Sequence, residues 1–114
     1  MGVTAGGCSS CGDIDWARFR APDAEKVDED GVSPRQELAD EFVDCGALDG
    51  KSREWVERRL GQGSERTGSE RGRVTYTLGL CTDERDCLFT GDTEYLDIYY
   101  DSDGNVESLA THNT

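Results

Sequence analysis

Leu48-Asp-Gly-Lys-Ser-Arg-Glu-Trp-Val-Glu-Arg-Arg-Leu-Gly61 reads as a short helix with its punctuation written out. Asp49-Gly50 makes a turn, and Ser52 supplies an N-cap oxygen for an unpaired backbone N–H. Glu54 falls in the first helical turn and Arg58 and Arg59 in the last, each sign where the helix dipole favours it. Val56 and Leu60 mark one buried face with Trp55 beside them, and Gly61 ends the helix. Trp55 is read as a core or rim aromatic.

Upstream, Ser33-Pro34-Arg35-Gln36 announces a second helix: a good N-cap, proline in the first turn, and glutamine three residues after the cap. Leu38, Phe42 and Cys45 recur at helical spacing, with Ala39 and Val43 widening the stripe. Asp40, Glu41 and Asp44 take the opposite side, and Gly46 closes the helix. Downstream, residues 62–72 form a polar loop. Its Gly-x-Gly follows a helix rather than a strand and lacks the further glycine of a nucleotide-binding turn.

The period then changes from helical to alternating. Val74, Tyr76, Leu78 and Leu80 alternate with Arg73, Thr75, Thr77 and Gly79 in a half-buried strand. In a second strand over 95–100, Leu96, Ile98 and Tyr100 face the core, and Tyr95, Asp97 and Tyr99 face away. Asp101 to Asn105 turns the chain, with Gly104 supplying the positive φ, into a last strand over 106–111. Asp101, Asp103 and Asn105 match the first three ligand positions of an EF-hand loop. Val106 stands where its glycine belongs and His112 where its glutamate belongs, so a hairpin turn is expected and no metal. The fold class is therefore α+β, two N-terminal helices packed on a three-stranded antiparallel sheet.

At 114 residues the chain holds one domain, and with 34% hydrophobic and 32% charged residues its order rests on patterning. The formal net charge of −13 argues against nucleic acid or anionic headgroups as partners. An acidic surface with only Lys26 and Lys51 as lysines fits either a high-salt habitat or a genome that favours Asp and Arg. No apolar run is long enough to span a bilayer, and residues 1–7 lack the charged and apolar regions of a signal peptide.

Residues 1–31 are read as a flexible, acidic tether whose isolated aromatics, Trp16 and Phe19, can pack back on the domain at 32–114. Ala5-Gly6-Gly7-Cys8-Ser9-Ser10 resembles the end of a bacterial lipoprotein signal, with Cys8 as the lipid-accepting residue and a natural start lying further upstream. Cys8-x-x-Cys11 as a metal or redox pair lacks partners, because His112 is the sole histidine and no second such pair exists. Cys81 and Cys87 bracket a polar excursion between two strands and are the first choice for a disulfide. A bridge from Cys45 to one of them is the next.

Three stretches together resemble a known family. Residues 48–61 resemble the "L-x-G-x-[ST]-x-x-x-V-x-x-x-L-G" opening of BamE/SmpA-type small outer-membrane lipoproteins. Tyr76-Thr-Leu-Gly79 is similar to their "Y-x-L-G" strand, and the chain from Leu96 to Val106 to their "L-x-I-x-F-D-x-D-G-x-V" hairpin. The resemblance covers roughly residues 33–111. It implies an ααβββ domain shared with β-lactamase-inhibitor-type proteins, and a lipid-anchored accessory protein on the periplasmic face of the outer membrane.

No catalytic pair stands out. The sole histidine lies near the C-terminal end, so a Ser-His-Asp arrangement is not expected, nor any enzyme activity, cofactor or small-molecule substrate. The expected function is a protein-binding or scaffolding module of the envelope, touching the membrane only through its lipid. Its working surface is the sheet face away from the helices, with Tyr95, Tyr99, Arg73 and Thr75. Two other readings remain: a secreted inhibitor that plugs an enzyme cleft with the Cys81–Cys87 loop, or a small intracellular protein with reduced thiols.

Overall fold

The computed structural model describes residues 11–65, 72–85, 87 and 89–114. Three helices precede the main sheet: α1 (Trp16–Arg20), α2 (Pro34–Cys45) and α3 (Arg53–Leu60). Four strands follow: β1 (Ser64–Glu65), β2 (Arg73–Leu80), β3 (Thr93–Tyr100) and β4 (Val106–Asn113). They pair antiparallel in the order β1-β2-β3-β4, so the fold is α+β. The short α1 and the two-residue β1 are additions to the elements read from the sequence.

Both long helices begin and end as their residues dictate. The Ser33 hydroxyl accepts the Gln36 backbone N–H at 3.0 Å while the Gln36 side-chain Oε1 accepts the Ser33 N–H at 2.8 Å, a complete capping box. Gly46 ends α2 at φ 74°, the left-handed value that glycine adopts without penalty. Ser52 caps α3 through the Trp55 N–H. Leu38, Ala39 and Phe42 of α2 and Val56 and Leu60 of α3 are buried against Val74, Tyr76 and Leu78 of β2 and Leu96 and Ile98 of β3. Val43, expected to widen the stripe, is 37% exposed.

Two register shifts break the simple alternation. Thr77 pairs with Tyr95 but Gly79 with Glu94, so Leu78 is the extra residue of a bulge. Beyond it, each side chain changes face. Leu80, expected in the core, pairs with Thr93 and is 46% exposed on the side away from the helices. A Cβ on Gly79 would sit 2.9 Å from both the Glu25 carbonyl oxygen and the Ser33 hydroxyl, so glycine permits the bulge to press against the start of α2. The second shift, between Tyr99 and Tyr100, lies at the start of β4.

The described part of the expected tether is folded. Trp16 and Phe19 stand three residues apart, so one turn of α1 aims both at the helices. Phe19 is fully buried, and its ring lies 5.8 Å from that of Phe42 and 6.0 Å from that of Tyr76. Complete burial of a phenylalanine contributes about 2–3 kcal/mol, which a solvated tether would forgo. Arg35 holds the segment by donating to the carbonyls of Phe19 (2.8 Å) and Thr77 (2.9 Å), its guanidinium 4.7 Å above the Phe19 ring. Burial pushes the pKa of Arg35 down against the pull of Glu25. Arg20 caps α3 by donating to the carbonyls of Arg58 and Arg59.

A disulfide fastens this segment: Cys11 is bonded to Cys45 at the end of α2. The expected alternative, Cys45 bonded to Cys81 or Cys87, does not form. Those two are bonded to each other.

Candidate functional site

The helices lie over one face of the sheet, and among the described residues no helix covers the other. It presents Arg73, Thr75 and Thr77 from β2, Tyr95, Asp97 and Tyr99 from β3, and Ser108, Ala110 and His112 from β4, following the pairing register. All four residues assigned to the binding surface from sequence, Tyr95, Tyr99, Arg73 and Thr75, belong to it.

Their roles differ. Thr75 is only 5% exposed, and its hydroxyl donates to Asp97 Oδ1 at 2.6 Å. It is a buried support rather than a contact residue. Asp97, 3% exposed, also has its Oδ2 3.1 Å from His112 Nε2. The His112 ring in turn stacks on Tyr95, with centroids 5.2 Å apart and planes inclined by 24°. A Thr75–Asp97–His112–Tyr95 chain thus runs across three strands and fixes the Tyr95 ring. Further along the face, the Arg73 guanidinium lies 6.0 Å from the Tyr99 ring centroid.

Asp97 was legible on this face from the alternation. The part played by His112 was not. An unshifted hairpin continuing from the Tyr100–Val106 pair would place Thr111 opposite Tyr95. The shift beside Tyr99 brings His112 there instead. Sequence alone carries no signal for that extra residue.

Beside the imidazole–carboxylate pair, the Thr75 hydroxyl is bonded to the carboxylate and not to His112. The face also contrasts with the rest of the molecule. On a chain with 25 acidic residues, the ionisable side chains other than tyrosine that the described strands place on this face are Arg73, Asp97 and His112.

The Cys81–Cys87 loop lies elsewhere and is clamped from within. Arg85 donates to both oxygens of Asp40, at 2.6 and 3.1 Å, and to both oxygens of Glu94, at 3.1 and 3.0 Å. The bonds to Asp40, ahead of those to Glu94, hold the Arg85 pKa above its ordinary value despite partial burial. Gln36 also donates to Glu94, and the Thr82 hydroxyl donates to the Gly31 carbonyl. Beyond the clamp, Phe89 is 63% exposed. Ligand atoms of Cys81, Cys87 and Glu94 fall within 4.8 Å of one another, but the sulfurs are bonded together and the carboxylate is engaged by Arg85 and Gln36.

At the Asp101–Asn105 turn, Asp101 Oδ1 accepts the backbone N–H groups of Asp103 and Asn105, so this carboxylate holds the hairpin. Cys8 lies outside the described residues. No helix among those residues is long and apolar enough to cross a membrane. No protein-family model matches the chain, and neither does any curated protein or solved structure.

Proposed function

We propose that this protein is a non-enzymatic protein-binding module of the cell envelope, working through the open face of its sheet. The observation that carries the reading is the charge-poor, tyrosine-bearing surface held in place from Thr75 through Asp97 and His112 to Tyr95. Interface centres are depleted in acidic residues and enriched in tyrosine and arginine, the composition found here on an otherwise acidic chain. Two disulfides fit a compartment outside the reducing cytosol. Within this reading, α2, α3 and β2 to β4 form the ααβββ unit of BamE/SmpA type, Cys8 carries the lipid, and the periplasmic face of the outer membrane is the location.

Photo-crosslinking in native cells tests the surface. A crosslinker at Tyr99 should yield a discrete protein adduct that disappears when Tyr95→Ala is added, whereas one at Arg58 on α3 should not yield it. Equal adducts from both positions would overturn the assignment. Intact mass of the protein taken from those cells without reductant tests the location. A diacylglyceryl addition on Cys8 is expected, and five free thiols would refute it.

A second reading rests on Phe89. A mostly exposed aromatic beside a disulfide-closed, arginine-clamped loop has the rigidity of an inhibitor loop that enters an enzyme cleft. It predicts that Phe89→Ala abolishes partner binding while Tyr95→Ala leaves it intact.

A further inference from the structure

We propose that the outer edge of β4, with the acidic groove beside α2, takes an extended basic segment of a partner protein as an additional strand. This site is separate from the open face and does not rest on the function assigned to it.

The edge follows from the hydrogen-bond register. Thr93 and Thr114 exchange both backbone bonds, N–H of Thr93 to O of Thr114 at 2.8 Å and the reverse at 3.1 Å. Bonded pairs alternate along an antiparallel ladder, so Tyr95–His112, Asp97–Ala110 and Tyr99–Ser108 are the next ones. The N–H and C=O groups of Leu109, Thr111 and Asn113 therefore point away from β3. Among the described residues no strand lies beyond β4, and no backbone bond reaches these three. Natural edges are blunted by shortness, proline, charge or a bulge. The other edge of this sheet is the two-residue β1, which is blunted by shortness. β4 has eight residues, no proline, and its single acid, Glu107, at the bulged start. From Ser108 to Asn113 it is a regular, unprotected template.

The groove says what would pair there. α2 packs over β2, Val106 and Leu109 of β4 reach the core, and a concavity of about 640 Å³ lies between α2 and Thr111 further along the strand. It is lined by Thr111 from β4 and, from α2, by exposed Val43 and an acidic wall of Glu37, Asp40, Glu41 and Asp44. Asp40 is bound by Arg85, and Glu37 lies 3.9 Å from Arg18. Glu41 and Asp44 have no cationic partner among the described residues. A strand added at Thr111 would send every second side chain towards this wall, so the fitting segment carries lysine or arginine at alternate positions.

Charge also selects against a second copy of the chain. Two β4 strands paired about a twofold axis would place both acidic α2 faces on the same side of the joined sheet, on protomers that each carry −13. The same charge speeds the encounter with a basic segment.

The test uses a fluorescent synthetic peptide of about ten residues alternating lysine and valine, long enough to line the strand. A peptide of the same composition, with its lysines in one block, is the control. The alternating peptide should bind more tightly and protect the amides of Leu109, Thr111 and Asn113 from hydrogen exchange. Thr111→Pro removes an outward N–H without touching the ladder to β3, a position where edge strands tolerate proline. It should weaken binding about tenfold or more, while Thr111→Val should not. Glu41→Lys with Asp44→Lys, both on an exposed helix face, should weaken it similarly without disturbing the fold. Equal binding of the two peptides, or binding indifferent to Thr111→Pro, would reduce the site to unspecific adhesion and overturn the proposal. A dimer of the protein alone that Thr111→Pro dissociates would assign the edge to a second copy and overturn it too.

Discussion

Tyr100 is a tyrosine where the fold has work only for a phenylalanine. Its ring packs in the core at 7% exposure, 5.6 Å from the Arg53 guanidinium, and its hydroxyl finds no hydrogen-bond partner among the described residues. Tyr76, on the neighbouring strand, donates its hydroxyl to the Gly61 carbonyl at 2.8 Å. Burial pushes the Tyr100 phenol up to about 12 against the pull of Arg53, and burial pushes Tyr76 up as well. A phenol raised in the folded state binds its proton more tightly there than in the unfolded chain. Its contribution to stability is complete below the unfolded value of about 10 and is lost as pH rises through the folded one. Unfolding free energy should therefore hold to about pH 10 and fall towards pH 12. Tyr100→Phe should be no less stable than the parent at pH 7, since a buried unpaired hydroxyl costs about 1 kcal/mol or more, and its alkaline fall should be shallower. Urea titrations across that range read both effects. A clear loss at neutral pH would mean that the hydroxyl has a partner.

The elements divide by how much local chemistry defines them. α2 and α3 carry caps, a proline, glycine stops and a helical stripe, and β2 to β4 carry alternation and a turn, so all five are legible within a few residues. α1 is not, because one turn cannot display a period; its aromatics are the only trace. The bulges at Leu78 and near Tyr99 are invisible for a related reason: an inserted residue flips the face of every later side chain in its strand without changing composition. Strict alternation therefore puts Leu80 in the core and leaves His112 out of the site. Pairing of Cys45 with Cys11 depends on α1 folding back, a tertiary fact.

That dependence sets the worth of each disulfide. Cys11–Cys45 closes a separation of 34 residues and Cys81–Cys87 one of 6. Loop-closure entropy makes the first worth about 4 kcal/mol and the second about 2. The Arg85 clamp also keeps the short loop in place without its bridge. In a Cys8→Ser background, replacing Cys11 and Cys45 by serine should therefore destabilise the protein more than replacing Cys81 and Cys87. Chemical denaturation decides this. The reverse order would mean that α1 holds to α2 by packing alone.

The whole molecule separates its charge by surface. The wall of α2 beside β4 is acidic, the open face is nearly neutral, and the chain as a whole carries −13. Self-repulsion at that net charge opposes folding, while exposed ion pairs such as Arg58–Glu54 contribute little, so screening should relieve more than it removes. Raising sodium chloride from about 0.02 M to about 0.5 M shrinks the Debye length from above 20 Å to below 5 Å. Three responses should then diverge. The thermal midpoint should rise, binding of the alternating lysine–valine peptide at β4 should weaken steeply, and capture of a partner by the open face should change little. Differential scanning calorimetry and fluorescence titration read the first two, and crosslinking yield from Tyr99 reads the third. A crosslinking yield that fell in parallel with peptide binding would show that one electrostatic surface serves both, and the charge-poor face would lose its independent role.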